Sequence, residues 1–335
     1  MNTFACVIFR CREDGLPRRA RGLTVASCLL WCAAGTASVV MGQEDGRFSN
    51  WTKVESAAET RAFKDAVRSG TFDAATRGYL EQIALPQLES TANRPMIERV
   101  RKRIRELLLA DVSGEKAVGD ANGTALAFLE RLAKKEDAEQ VVTVNAVLMV
   151  GELQGVDRKP WAPAATTLAT ILSDREAPVS LRIASTIGLA RHVEAAKGAA
   201  DDQLAEKAGP AILAVLEQPA PPGAEPEWDW LTSRCLAMLP PLLGSGSQKA
   251  VAAAAKLVGD AGRSVGVRVR AAAALAALAG SDTTLDRAAV IATIARLGTE
   301  SLEQDVAAGD KRILERIYGV GVGAAAGMAP GMAPG

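Results

Sequence analysis

Histidine is almost missing from this sequence: His192 is the only one in 335 residues. Histidine is the side chain whose unperturbed charge changes near neutral pH and the commonest metal ligand. One copy, without cysteine or histidine neighbours, makes no transition-metal site. Cysteine is scarce too. Four of the five, Cys6, Cys11, Cys28 and Cys32, fall in the first 42 residues, and only Cys235 lies beyond them. Past residue 42 an intrachain disulfide is therefore excluded even in an oxidising compartment. Aromatic residues are 4% of the chain, so a core must be built from Ala, Leu, Val and Ile. Such small side chains suit closely packed helices better than a β-sandwich. Net charge is zero, with 39 basic and 39 acidic residues. No strong field exists to gather nucleic acid or an anionic membrane. Strict two-residue alternation is also lacking. "VVTVNAV" (141–147) is β-like in composition but sits inside a longer helical period.

Apolar residues make up 48% of the sequence, enough to bury a core. Residues 1–42 stand apart. Arg18, Arg19 and Arg21 form a basic region before the uncharged run "LTVASCLLWCAAGTASVV" (23–40), and small residues Val40 and Gly42 precede Gln43. That is the layout of a secretory signal peptide. It predicts an exported protein of the periplasm or cell exterior, with a mature net charge of −3 once five arginines and two acids are removed. A retained 23–40 segment is the alternative, giving an envelope-anchored structural protein. "VASC" (25–28) resembles a lipobox behind too short an apolar stretch.

The remainder reads as helix. Phe63 and Val67 share a face in 52–68, where Ser56 and Glu59 have capping-box spacing. A second helix over 71–88 should end or kink at Pro86. Ile97, Val100, Ile104, Leu107 and Leu108 form an apolar stripe, and a glycine-bearing loop is expected over 113–123. Helices follow at 124–136 and from Asp137, which has capping-box spacing with Gln140. The helical region 43–123 then gives way to repeats over 124–319 and a low-complexity tail, 320–335. Four segments carry the repeat: "VNAVLMVGEL" (144–153), "LRIASTIGLA" (181–190), "SRCLAMLPPL" (233–242) and "VRAAAALAAL" (269–278). Each has a polar second residue, Asn145, Arg182, Arg234 or Arg270, at spacings of 37, 52 and 36. The long interval holds "EQPAPPGAEPEWDW" (217–230), which reads as an insertion. Second helices lie at 163–174, 202–218, 247–259 and 284–298.

Paired helices at this pitch, with "VRVRAAAALAAL" (267–278) the best copy, resemble the HEAT/armadillo-type α-solenoid family. The resemblance covers roughly 125–300 and implies an all-α superhelix of about six antiparallel helix pairs. It implies a protein-binding surface, on the faces of the second helices. It also implies that entry arginines such as Arg268 and Arg270, read as lying where the chain is still at the surface, bond to an acid of an adjacent repeat. Some members of the family are enzymes, which keeps a third reading open.

Motifs for chemistry fail on context. "GRSVG" (262–266) matches a nucleophile elbow, but a helix precedes Ser264 and His192 lies upstream. "GVGVGA" (319–324) lacks the strand and acid of a dinucleotide site. His192 reads as an exposed helix-end residue and Cys235 as a buried small hydrophobe. No catalytic residue, cofactor or metal is expected, and no nucleic acid among the partners. Two patches remain as partner-binding candidates. "AEPEWDW" (224–230) gathers Glu225, Glu227, Asp229, Trp228 and Trp230 in or beside the proline-rich loop. Its plain reading is tryptophans packing the loop, and its functional one is recognition of a peptide, glycan or cation. EF-hand spacing is absent. "ERVRKRIRE" (98–106) carries five basic residues, including Arg99 and Arg103, read as a solvated helix face or as a patch for an acidic partner or lipid surface. The expected function is a non-enzymatic scaffold for a protein partner, with membrane contact only if 23–40 is retained.

Overall fold

Twelve α-helices and no strand make up the described residues of the computed structural model: 57–108, 114–196, 202–244, 247–279 and 287–318. The signal segment, Ser56 and the 320–335 tail lie outside them. The all-α class expected from the sequence is what the described residues form. The helices are α1 (Ala57–Arg68), α2 (Ala74–Tyr79), α3 (Ile97–Leu108), α4 (Glu115–Ala133), α5 (Gln140–Val150), α6 (Ala162–Ser173), α7 (Val179–Ala195), α8 (Asp202–Glu217), α9 (Glu225–Leu243), α10 (Gln248–Gly259), α11 (Val265–Leu278) and α12 (Arg287–Tyr318).

Local chemistry sets several of these ends. Asp73 caps α2, its carboxylate accepting from the backbone N–H and the hydroxyl of Thr76 at 2.9 and 2.8 Å. Those bonds hold its carboxyl below the usual range. After α2 the chain widens into a π turn (Leu80–Ala84) and then tightens into a 3₁₀ turn (Leu85–Leu88). The latter is where Pro86, having no N–H, was expected to end the helix. Ser264 sits in the turn before α11 and caps it, accepting from the N–H of Val267 at 3.4 Å. A plain inter-helix turn therefore occupies the "GRSVG" motif. The expected loop at 113–123 is corrected. From Glu115 it is the start of α4, because Gly119 and Gly123 are tolerated between Ala117, Val118, Ala121 and Ala125, which the core buries. The Asp137/Gln140 capping box does not form. Glu139 is the N-cap, and the Gln140 amide instead donates to Ser180 Oγ at 2.8 Å.

Hairpins α4–α5, α6–α7, α8–α9 and α10–α11 are formed by sequence neighbours packing on each other. The hairpins also touch laterally. α5, α7, α9 and α11 each meet the next, and so do α6, α8, α10 and α12. One apolar cluster runs through them from Phe63 to Leu278. In the first row the burial pattern repeats. Val142, Arg182, Trp228 and Arg268 occupy one equivalent buried position, and Glu152, His192, Met238 and Leu278 another. Both sets are spaced by 40, 46 and 40 residues. This corrects the sequence register of 37, 52 and 36. Arg234 and Arg270, aligned there with Arg182, are exposed, and the loop before α9 lengthens one repeat by six residues.

His192 is likewise corrected. It is 0% exposed, because α7 continues to Ala195 and the 192 position faces the interior in every copy.

α5 and α7 meet most closely where two glycines face each other. A Cβ on Gly188 would lie 2.9 Å from Gly151 Cα and 2.8 Å from Leu168 Cδ1. In an ordinary helix Gly→Ala gains about 0.5–1 kcal/mol. Here the neighbouring backbone cannot give way, and overpacking costs about 1–3 kcal/mol. Gly188→Ala should therefore lower stability in urea denaturation. Gly123→Ala, with open space at its Cβ, should raise it by about 0.5–1 kcal/mol. Equal signs for the two would contradict the close approach.

Candidate functional site

The chemistry of the interior collects where arginines meet the last turns of helices. The Arg182 side chain, 2% exposed, donates from Nε to the carbonyl of Leu172 at the end of α6 (2.9 Å). Its Nη2 donates to Gln218 Oε1 (2.8 Å), and the guanidinium lies 4.5 Å from the ring of Trp228. Arg268, 5% exposed, repeats the first contact one turn into α11, donating from Nε to Val258 O at the end of α10 (3.2 Å). Its Nη1 reaches both carboxylate oxygens of Glu300 on α12, at 2.9 and 2.8 Å. The expectation that Arg268 sits at the surface is thus corrected, and Glu300 is its acidic partner. Arg270 is exposed.

Two more arginines complete the set. Arg263 donates to Gln218 O, just past α8, and Arg191 donates to Leu148 O in the last turn of α5 (3.3 Å). Carbonyls at helix C-termini have no intrahelical donor and carry the negative end of the helix dipole. A buried guanidinium supplies both a donor and a positive charge there. Glu152 is nearly buried and adds a carboxylate. Its Oε1 lies 3.3 Å from Arg101 Nε and 3.5 Å from Arg191 Nη1, and Arg101 Nη1 also donates to Asn145 Oδ1 at 2.7 Å. Burial pushes the Arg182 pKa down. The same region raises the Cys235 thiol to about 12, chiefly by burial, partly offset by a hydrogen bond with Thr186 and by Arg182. A thiol held protonated is not a nucleophile at neutral pH.

The candidate patch 224–230 divides across this seam. It begins α9 rather than remaining a loop. Trp228 is 0% exposed and serves as the flat partner of Arg182, so the interface role weighed for it is replaced by a core one. The Glu225 carboxylate accepts from the N–H of Gly223 at 3.0 Å. Bonds from its own backbone N–H and that of Gly223 hold its carboxyl below the usual range. Glu227 is exposed, and Asp229 and Trp230 are half-buried. The Arg234 guanidinium lies 5.2 Å from the Trp230 ring. Trp230 is half-buried, packed at the edge of the core cluster with Arg234 over its ring. Ile183 on α7 and Val269 on α11 occupy positions equivalent to Asp229, and Val269 is exposed.

On α3, Arg99 is exposed and Arg103 half-buried, each already engaged within the protein. Arg101, in the same basic run, turns inward to Glu152. Sequence reading missed two clusters, Arg101 and Arg191 on Glu152, and Arg182 and Arg263 on Gln218. Their spacing gave no cue, because each bond joins residues from different helices or loops. Among the described residues there is no cluster of His, Cys, Asp and Glu able to hold a metal, and no helix long and apolar enough to cross a membrane. Comparisons with models of protein families, with curated proteins and with solved structures gave no match.

The sign of the Cys235 shift fixes a pH dependence. The folded thiol keeps its proton to about pH 12, and the ordinary value is 9.0. Between these values the folded state binds more protons, so stability falls as pH rises above 9. Urea denaturation from pH 7 to 11 should show wild type losing stability relative to Cys235→Ala above pH 9, approaching about 1.4 kcal/mol per pH unit. Parallel curves would contradict a buried, protonated thiol.

Proposed function

We propose that this chain is an exported, non-enzymatic protein-binding scaffold of HEAT-like construction. The exposed face of α7, α9 and α11, in place of the second-helix faces expected from the resemblance, receives a peptide segment of a partner protein. The observation that carries this reading is Trp230, a half-exposed aromatic on an element whose other tryptophan is sealed in the core. Tryptophan and arginine are the side chains most often found anchoring interfaces, and Arg234 already stacks on this ring. Exposed Glu227 and half-buried Asp229 beside it favour a partner segment that carries positive charge next to an apolar anchor.

Two further features support a scaffold. The helix pairs recur with a repeated burial register, as in stacked arrays that present broad surfaces. The interior ionic groups described above are spent on helix ends and on one another. The apolar run 23–40 behind Arg18, Arg19 and Arg21 supports export.

Affinity purification of the tagged protein from its own cell envelope tests the proposal. A stoichiometric protein should co-elute with wild type. It should be lost with Trp230→Ala, whose helical circular dichroism should stay that of wild type. Trp228→Ala is the wrong probe, since emptying a fully buried site costs about 3–5 kcal/mol. A partner-free wild type, or a partner retained by Trp230→Ala, would overturn the reading.

A further inference from the structure

The last described helix has two apolar sides, and among the described residues one of them is packed and the other exposed. On its inner side, Leu297 is 1% exposed and Glu300 holds Arg268, where α12 packs on α10 and α11. On the opposite side Ile291, Leu302 and Val306 are 66%, 67% and 62% exposed. Ala288, Ala292 and Ala295 continue the same stripe, also exposed. A helix of this kind is built to be covered on both sides. The stripe from 288 to 306 is about 27 Å long at 1.5 Å per residue.

We infer that α12 is a homodimerisation helix, and that its outer stripe packs antiparallel against the same stripe of a second copy across a two-fold axis near Gly298 and Thr299. Self-complementarity carries the choice of occupant. An axis between Gly298 and Thr299 sets Ile291 opposite the second copy's Val306, and Ala295 opposite its Leu302. At the crossing stand two small residues, and Gly298 has open space around its Cβ position, so the backbones can approach. Arg296 and Glu303 are both exposed and lie on one flank of the stripe, seven residues apart. The two-fold brings each Arg296 beside the Glu303 of the other copy, twice over. An isologous contact requires this kind of self-matching. A lipid surface fits less well, because interfacial helices carry a cationic polar flank and this one balances Arg296 against Glu303. The contact is on the order of the 1,000 Å² at which specific interfaces begin, so association should depend on concentration. The inference does not rest on the peptide-binding reading, which concerns a different face.

Sedimentation velocity of the full chain over a concentration series tests it, with circular dichroism as the folding control. Wild type should shift from monomer to dimer mass in the micromolar range. Leu302→Glu, a change at an exposed position, should keep helical content and raise the dissociation constant about a hundredfold or more. Arg296→Glu should weaken the dimer, and Arg296→Glu with Glu303→Arg should restore it. A wild-type monomer throughout would overturn the proposal and assign the stripe to another occupant, such as residues 319–335 or a different protein. A dimer indifferent to Leu302→Glu would overturn it as well.

Discussion

Helix C-termini buried among packed helices must find donors, and in this protein arginine supplies them. Four helix ends, those of α5, α6, α8 and α10, present carbonyls to Arg191, Arg182, Arg263 and Arg268. A core of alanine and leucine has no polar groups of its own with which to satisfy these ends. Burying a carbonyl without a partner costs about 1–3 kcal/mol. Placing a guanidinium there meets that demand and opposes the helix dipole at once. Arg182 and Arg268 then reach forward to the next packed element, Arg182 to Gln218 Oε1 past α8 and Arg268 to Glu300 on α12, while Arg263 reaches back from the turn before α11 to Gln218 O. Each end of one helix is therefore tied to the placement of a later one.

This constraint explains the odd composition of the first row. α7, α9 and α11 bury nearly the same positions, yet the equivalent residues are Arg182, Trp228 and Arg268. In α9 the arginine position is taken by Trp228, which offers its ring face to Arg182 and leaves the end of α8 without an arginine from its own hairpin. Arg263, in the turn before α11, fills that place. Desolvation of Arg182 is offset by two hydrogen bonds and a ring face rather than by a carboxylate, an arrangement suited to the weakly hydrated guanidinium and not to an ammonium.

Much of the helical layout was legible in the sequence, because helical periodicity and turn residues are local signals. The second helices near 163–174, 202–218 and 247–259 appear where the spacing placed them. Cys235 is buried as its apolar face suggested. What failed was register. Aligning Asn145, Arg182, Arg234 and Arg270 as polar second residues matched letters. Burial instead matches Val142, Arg182, Trp228 and Arg268. Nothing local distinguishes Arg268 from Arg270 two residues later, since the difference is which side of α11 meets α10. For the same reason His192 read as exposed and Trp228 as a candidate anchor. Their environments are set by the separate helices that pack on α7 and α9.

The most direct measurement compares Arg182→Lys with Arg270→Lys in urea denaturation. Lysine keeps the charge but cannot donate to Leu172 O and Gln218 Oε1 in the same fork while lying flat on Trp228. The account predicts a loss of about 2–4 kcal/mol at position 182. At exposed position 270 it predicts a change within about 0.5 kcal/mol. Equal tolerance at the two sites would show that the buried arginines do not hold the helix pairs together, and would contradict the account.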